Sequence, residues 1–216
     1  MKCTEQTMRL YAVTDRAWTG RQTLAQQVEA ALKGGVTCVQ LREKQLDEAD
    51  LLAEARQIGA LCRHYGVPFL LNDNVPLALL CGADGVHVGQ SDMKAAEVRR
   101  LAGPEFILGV SAHTVEEARR AVAEGASYLG VGAAFATSTK ADAKPLPRQT
   151  LRDICRAVEV PVVAIGGITR ANLPELSGCG VDGVALVSAI FAAEDVEAEC
   201  RALRALSEQM VRADGF

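Results

Sequence analysis

Eight short apolar runs punctuate the chain at similar intervals: RLYAV, VTCVQL, PFLLN, DGVHV, FILGV, SYLGVG, PVVAIG and DGVALV. Each has the length and β-branched character of a buried strand. Between them lie segments with helical spacing and good helix formers, among them TLAQQVEAALKGG, ADLLAEARQIGALCRHYG, TVEEARRAVAEGA and LPRQTLRDICRAVE. Glycine pairs in KGGV, YGV, CGAD and EGAS close a helix and open the next strand, as suits the left-handed helix terminus. Short strands that are apolar on both faces belong to parallel sheets covered by protein on both sides. Eight β-then-α units predict an α/β fold, a closed (β/α)8 TIM barrel spanning 1–216 as a single domain, because no linker or low-complexity stretch divides the chain. A doubly wound open sheet is the competitor, but no GxGxxG follows the first strand.

Aromatic residues are only 4% of the 216-residue chain, so its core must be built from Ala, Val, Leu and Ile. A net charge of −4 gives no electrostatic reason to expect nucleic acid or an anionic membrane as partner. Any anion must be met by a local basic cluster. No apolar run approaches the roughly 18 residues of a spanning helix, and MKCTEQTMRL lacks the apolar core of a secretory signal. Seven Cys without a close CxxC pair fit neither a disulfide framework nor a zinc site. The expectation is a cytoplasmic protein with reduced thiols; a homo-oligomer is compatible with the sequence.

In such a barrel the chemistry sits on loops after the carboxyl ends of the strands. Strand alternation puts Cys38, Gln40, Arg42 and Lys44 of VTCVQLREKQ on one face if the strand stays regular. A guanidinium beside an ammonium suits a phosphate or diphosphate; the alternative is that Arg42 pairs with Glu43 or a helix carboxylate. Asp73 and Asp92 follow the next two strands, and Asn72 stands beside the first. Two hard oxygen ligands with room for water and substrate phosphate are what Mg²⁺ asks for, whereas the alternative makes both aspartates helix caps. The polar segment AAFATSTKADAKPLP reads as a lid bearing Thr137, Ser138, Thr139 and Lys140, or as an ordinary surface loop. Backbone N–H groups at Gly166, Gly167, Val187 and Ser188, beside a helix start, form a phosphate cup or a bare tight turn. His64 reads as a solvated surface residue. His87 is either a hydrogen-bonded core residue or a pocket residue, and the roles of His113 and Trp18 are open.

With VQLREK, LLNDN, DGVHVGQSD, LGVSAHT, TSTK, AIGGI and VSAI in order, the sequence resembles the thiamine-phosphate synthase family over most of its length. The resemblance implies a (β/α)8 fold and two small-molecule substrates. One is 4-amino-5-hydroxymethyl-2-methylpyrimidine diphosphate; the other is 4-methyl-5-(2-phosphoethyl)thiazole or its carboxylated form. It implies that Gln40, Arg42, Lys44, Asn72, Ser111 and Lys140 hold the pyrimidine diphosphate, with Arg42, Lys44, Ser111 and Lys140 acting in catalysis. It further implies that Asp73 and Asp92 hold Mg²⁺, and that Thr137, Thr139, Gly167, Val187 and Ser188 bind the thiazole phosphate. The chemistry implied is departure of diphosphate, then capture of a pyrimidine-methyl cation by the thiazole nitrogen. Ala136 departs from the proline usual before the lid threonine.

Three rivals are weighed against this. A thiazole tautomerase needs the phosphate cup but not Arg42, Lys44, Asn72, Asp73, Asp92 and Lys140 together. A non-catalytic phosphate sensor has little use for a metal pair beside a cationic lid. A sugar-phosphate epimerase needs an acid–base pair, and none is evident.

Overall fold

Strand β1 (Leu10–Val13) lies between β2 (Cys38–Leu41) and β8 (Gly183–Leu186), parallel to both, and so closes a barrel in the order β1 to β8. The computed structural model describes residues 3–20, 22–137 and 145–214. The other strands are β3 (Phe69–Asn72), β4 (Gly85–Val88), β5 (Ile107–Ala112), β6 (Tyr128–Gly132) and β7 (Val162–Ile165). All eight fall on the runs read as strands from the sequence.

Alternation along the strands separates two cores. Tyr11, Val13, Cys38, Leu70, Ile107, Tyr128, Val163 and Ala185 form one cluster inside the barrel. Their neighbours Leu10, Ala12, Val39, Leu41, Leu71, Val86, Leu108 and Leu129 belong to a second cluster, between the sheet and the helices. Both faces of the strands are therefore largely covered, with partial exposure only at Asn72, His87, Ser111 and Ile165, and each buried Leu or Val contributes about 2 kcal/mol relative to exposure. With few aromatics available, Tyr11 and Tyr128 are the largest side chains of the inner cluster, and their hydroxyls bring polarity to its centre.

The helices outside are α1 (Leu24–Lys33), α2 (Glu48–Tyr65), α3 (Val75–Cys81), α4 (Ala95–Ala102), α5 (Val115–Ala123) and α6 (Arg148–Ala157). Beyond β8 come a four-residue α7 (Ser188–Phe191) and the long α8 (Val196–Asp214). Local chemistry sets their starts: Thr23 and Gln26 form a capping box on α1, and Asp47 and Thr114 cap α2 and α5. The β7–β8 crossover departs from the β-then-α pattern. It carries only a 3-10 turn, Leu173–Leu176, because Pro174 and the glycines at 178 and 180 leave no uninterrupted helix-forming run. No helix among the described residues is long and apolar enough to cross a membrane. Cys38, Cys62 and Cys200 are buried, with burial pushing their thiols well up.

Candidate active site

At the carboxyl ends of β1 and β2, the fully buried Thr14 ties the two exits together. Its N–H donates to Gln40 O at 2.9 Å, and its hydroxyl accepts from Arg42 N–H at 3.0 Å. Regular β2 stops at Leu41, and the next three side chains divide their tasks. Arg42 reaches Asp15 at 3.4 Å. Glu43, with a side chain only 2% exposed, turns away and accepts from Arg16 Nε at 2.6 Å. It also accepts from the N–H groups of Lys44 and Gln45 at 2.7 and 2.8 Å. Dehydration works to raise the Glu43 pKa, but Arg16 and the two backbone donors outweigh it and hold the carboxylate below its ordinary range. Arg16 also grips Glu54 of α2 at 2.7 Å. Glu43 and that helix carboxylate are thus both taken by Arg16, and the partner of Arg42 is Asp15. For Lys44 no ion pair is found among the described residues.

Asn72 ends β3 and lies in register with His87 of β4. Asp73 follows in a left-handed conformation at φ 62°, the single non-glycine residue with positive φ among those described. Such a conformation strains an ordinary residue and persists where its surroundings require it. Here the Asp73 N–H donates to His87 O at 2.8 Å, while Asn72 Nδ2 donates to Asp73 Oδ2 at 2.6 Å. Asp92 accepts from Gly89 N–H at 2.7 Å, closing the loop after β4. Neither aspartate caps a helix: Asn74 caps α3, and at α4 the N-cap position is Lys94, which makes no side-chain cap bond.

The two carboxylates interact directly. Asp73 stands on the rim, yet partial dehydration by the surrounding loops, then the hydrogen bond and charge of Asp92, raise it to about 6, with Asn72 and Lys44 pulling the other way. Two like charges held this close invite a cation. No cluster of three or more His, Cys, Asp or Glu is found among the described residues. A pair of carboxylates completed by water and substrate phosphate is nevertheless the donor set of Mg²⁺ rather than of a softer metal.

Ser111, near the end of β5, is half-buried and bonded to His87 Nε2 at 2.9 Å. The other imidazole nitrogen meets Tyr128 Oη at 2.8 Å, and Tyr128 Oη meets Tyr11 Oη at 2.8 Å. Gln40 Nε2 donates to the same Tyr11 hydroxyl. Burial lowers His87 to about 4 against the opposing pull of Asp92, so the ring is neutral near pH 7. His87 is thus both hydrogen-bonded core and wall of the mouth. His64 and His113 lie on the surface, the latter 3.2 Å from Glu117. Trp18 is 42% exposed and its carbonyl accepts from Gln27.

On the opposite wall, the segment after β6 leaves and returns at one point, where Leu146 N–H donates to Ala133 O at 2.8 Å. Its outgoing stem lies against the end of β7: Phe135 N–H donates to Gly166 O at 3.0 Å. A Cβ at Gly167 would come within 2.2 Å of Ala136 O, and its φ of 65° independently demands glycine. Thr137 is described and half-buried, whereas Ser138, Thr139 and Lys140 lie outside the described residues. Val187 immediately precedes α7, which starts at Ser188. Ser188 also borders an open cleft of about 500 Å³ with Arg170 and Glu199, whose side chains pair at 3.6 Å.

Gln40, Arg42, Lys44, Asn72, Asp73, Asp92 and Ser111 therefore occupy the exits of four consecutive strands, with Thr137, Gly167, Val187 and Ser188 at the exits of β6 to β8. Reading the sequence alone singled out neither Tyr11 and Tyr128 nor the roles of Asp15, Arg16 and Glu43. Glycines inside the strands beside the tyrosines, at 109 and 130, are the signal that side chains cross the barrel there.

Comparison with known proteins gives concordant results. The sequence profile described as thiamine monophosphate synthase matches residues 10–190. The thiamine-phosphate synthase of Chloroflexus aurantiacus is 50% identical over 199 residues, covering 92% of each chain. That of Albidiferax ferrireducens is 49% identical over 191 residues, covering 88% of this chain and 87% of the relative. The solved structure of thiamine phosphate pyrophosphorylase from Pyrococcus furiosus superposes with a TM-score of 0.88 at 37% identity, covering 96% of this chain and 98% of that one. The chain belongs to the thiamine monophosphate synthase family.

Proposed function

We propose that this chain joins 4-amino-5-hydroxymethyl-2-methylpyrimidine diphosphate to 4-methyl-5-(2-phosphoethyl)thiazole or its carboxylated form, giving thiamine phosphate and diphosphate. The observation that carries the reading is that Arg42 and Lys44 follow β2 while the Asp73–Asp92 pair follows β3 and β4, with the charge of Lys44 felt at Asp73. A cationic clamp beside a carboxylate pair fits a metal-bound diphosphate and is superfluous for a bare monophosphate.

In the reaction the bond between the pyrimidine methylene and its oxygen breaks, and the electron pair leaves with diphosphate. The pyrimidine-methyl cation that remains forms a carbon–nitrogen bond with the thiazole nitrogen. Arg42, fixed by Thr14 and Asp15, offers a planar fork to the departing oxygens, and Lys44 offers a point charge. Groups already in place when charge develops do not reorganise during the step, and each is worth on the order of 3 kcal/mol of barrier. Mg²⁺ held by Asp73 and Asp92 would supply further positive charge to the same leaving group. Gln40, Asn72 and Ser111 would orient the pyrimidine diphosphate, with Lys140 closing over it from the lid. Thr137, Thr139, Gly167, Val187 and Ser188 would seat the thiazole phosphate. No general base is needed, and both ring nitrogens of His87 are already engaged, by Tyr128 and Ser111. With its buried thiols reduced, the protein would work in the cytoplasm.

Incubation with both substrates, with and without Mg²⁺, tests the reading by chromatography of thiamine phosphate. Product that depends on Mg²⁺ is expected; no product from folded protein with Mg²⁺ would overturn it.

A further inference from the structure

The inner barrel contains a chain of hydrogen bonds that the reaction as derived so far does not use. It runs from Gln40 on β2 through Tyr11 on β1 and Tyr128 on β6 to His87 on β4, and ends at Ser111 on β5. Five strand positions, far apart in sequence, are thereby joined across the barrel beneath the mouth.

The space for this chain is built in. A Cβ at Gly109 would fall 2.2 Å from the Tyr128 hydroxyl and 2.5 Å from His87 Nδ1. One at Gly130 would fall 2.9 Å from His87 Cε1. The rings stack closely as well, with His87 and Tyr128 centroids 5.5 Å apart and Tyr11 edge-on to Tyr128 at 5.8 Å. Neither tyrosine has room to swing away.

Donor counting allows the chain two directions, because either tyrosine hydroxyl can donate to the other and Cys38 offers the Tyr11 hydroxyl a further partner. An amide N–H can only donate, so the Tyr11 oxygen accepts from Gln40. Each hydroxyl has one proton to give. In the direction that serves Ser111, that of Tyr11 goes to Tyr128, and that of Tyr128 goes to His87 Nδ1. The imidazole proton is then on Nε2 and is donated to Ser111 Oγ. The hydroxyl proton of Ser111 has no remaining partner within the chain.

We propose that Tyr11, Tyr128 and His87 are positioning residues that fix Ser111 as a hydrogen-bond donor toward an acceptor atom of the pyrimidine diphosphate. This rests on the reading that Ser111 touches that substrate. A serine free to rotate divides its time between donating and accepting; one already accepting from His87 presents its proton to the mouth before substrate arrives.

Two measurements test it. The chain has three histidines, His64, His87 and His113, so ¹⁵N spectra of labelled, ligand-free protein resolve each ring, with His64→Gln and His113→Gln for assignment. The proton of His87 is expected on Nε2; a proton on Nδ1 overturns the proposal whatever the kinetics. Kinetically, Ser111→Ala and Tyr128→Phe should each lower kcat/KM for the pyrimidine diphosphate roughly tenfold. The double variant should fall no further than Ser111→Ala, because both changes remove one function. Independent losses that multiply to about a hundredfold would make Tyr128 a merely structural residue and overturn the proposal. Should Tyr128→Phe not fold, the wild-type spectrum still decides. Wild-type protein that makes no thiamine phosphate sinks the reaction, while the spectrum, taken without substrate, judges the relay separately.

Discussion

Glu43 is held by Arg16: its carboxylate lies 2.6 Å from Arg16 Nε and also receives the N–H of Lys44. This pairing explains how three consecutive charged residues coexist at one strand exit. The middle one anchors the loop, Arg42 turns to Asp15, and for Lys44 no ion pair is found among the described residues.

Glu43→Gln is expected to keep the fold but lose about 1 kcal/mol of stability, since Arg16 keeps Glu54 but exchanges a charged bond at Glu43 for a neutral one. Because the folded pKa of Glu43 is depressed, the wild-type contribution is fully present above its unfolded value of 4.5 and is lost as pH falls through the lower folded value. Urea titrations from about pH 3 to about pH 7 should show the variant closest to wild type at the acid end. A constant gap across that range would rule out the latch.

Asp73→Asn should reduce thiamine phosphate formation by about a hundredfold or more while making the metal-free protein more stable. The second effect follows from removing one of two facing like charges. The folded pKa of Asp73 is raised to about 6 from 3.8, so its penalty is absent below the lower value and complete above the upper one. On this exposed rim the gain is on the order of 1 kcal/mol after solvent screening. Melting curves at neutral pH, paired with product assays, check both halves, and a destabilised variant would contradict the repulsion argued for the pair.

Metal binding should carry the same signature. Protons and Mg²⁺ compete for the pair, so the rise in melting temperature caused by Mg²⁺ should shrink as pH falls below about 6. Asp92→Asn should abolish it throughout. Isothermal titration of wild type across that interval gives the affinity directly; affinity independent of pH would remove the metal from Asp73.

Gly109→Ala should destabilise the barrel by about 1–3 kcal/mol through overpacking, because its methyl group would meet Tyr128 and His87 inside contact distance. A denaturant midpoint equal to wild type would show that the tyrosine–histidine stack yields easily.

The barrel was legible because each strand carries its own apolar signature, and VTCVQL or PVVAIG announces a doubly covered strand without help from the rest of the chain. The positions of the aspartates after β3 and β4 were legible because LLNDN and VGQSD place them at strand exits. What stayed hidden is what depends on distant pairing. Tyr11 and Tyr128 meet across 117 positions, and nothing local distinguishes an inward tyrosine from any other core residue. Asp15 reads as one more polar residue at a strand end, and its pairing with Arg42 appears only when β1 and β2 are side by side. The seventh crossover was misjudged as one more helical unit because a count of eight repeats overlooks Pro174.

The pairing of β1 with β8 has a consequence for the chain as it emerges from the ribosome. Until Gly183–Leu186 has been made, β1 and β7 both present unpaired backbone, and the pocket wall contributed by Val187 and Ser188 does not yet exist. A nascent chain already holding every residue from Gln40 to Ser111 is therefore inert and sticky at its edges, and competence arrives late, when the ring shuts.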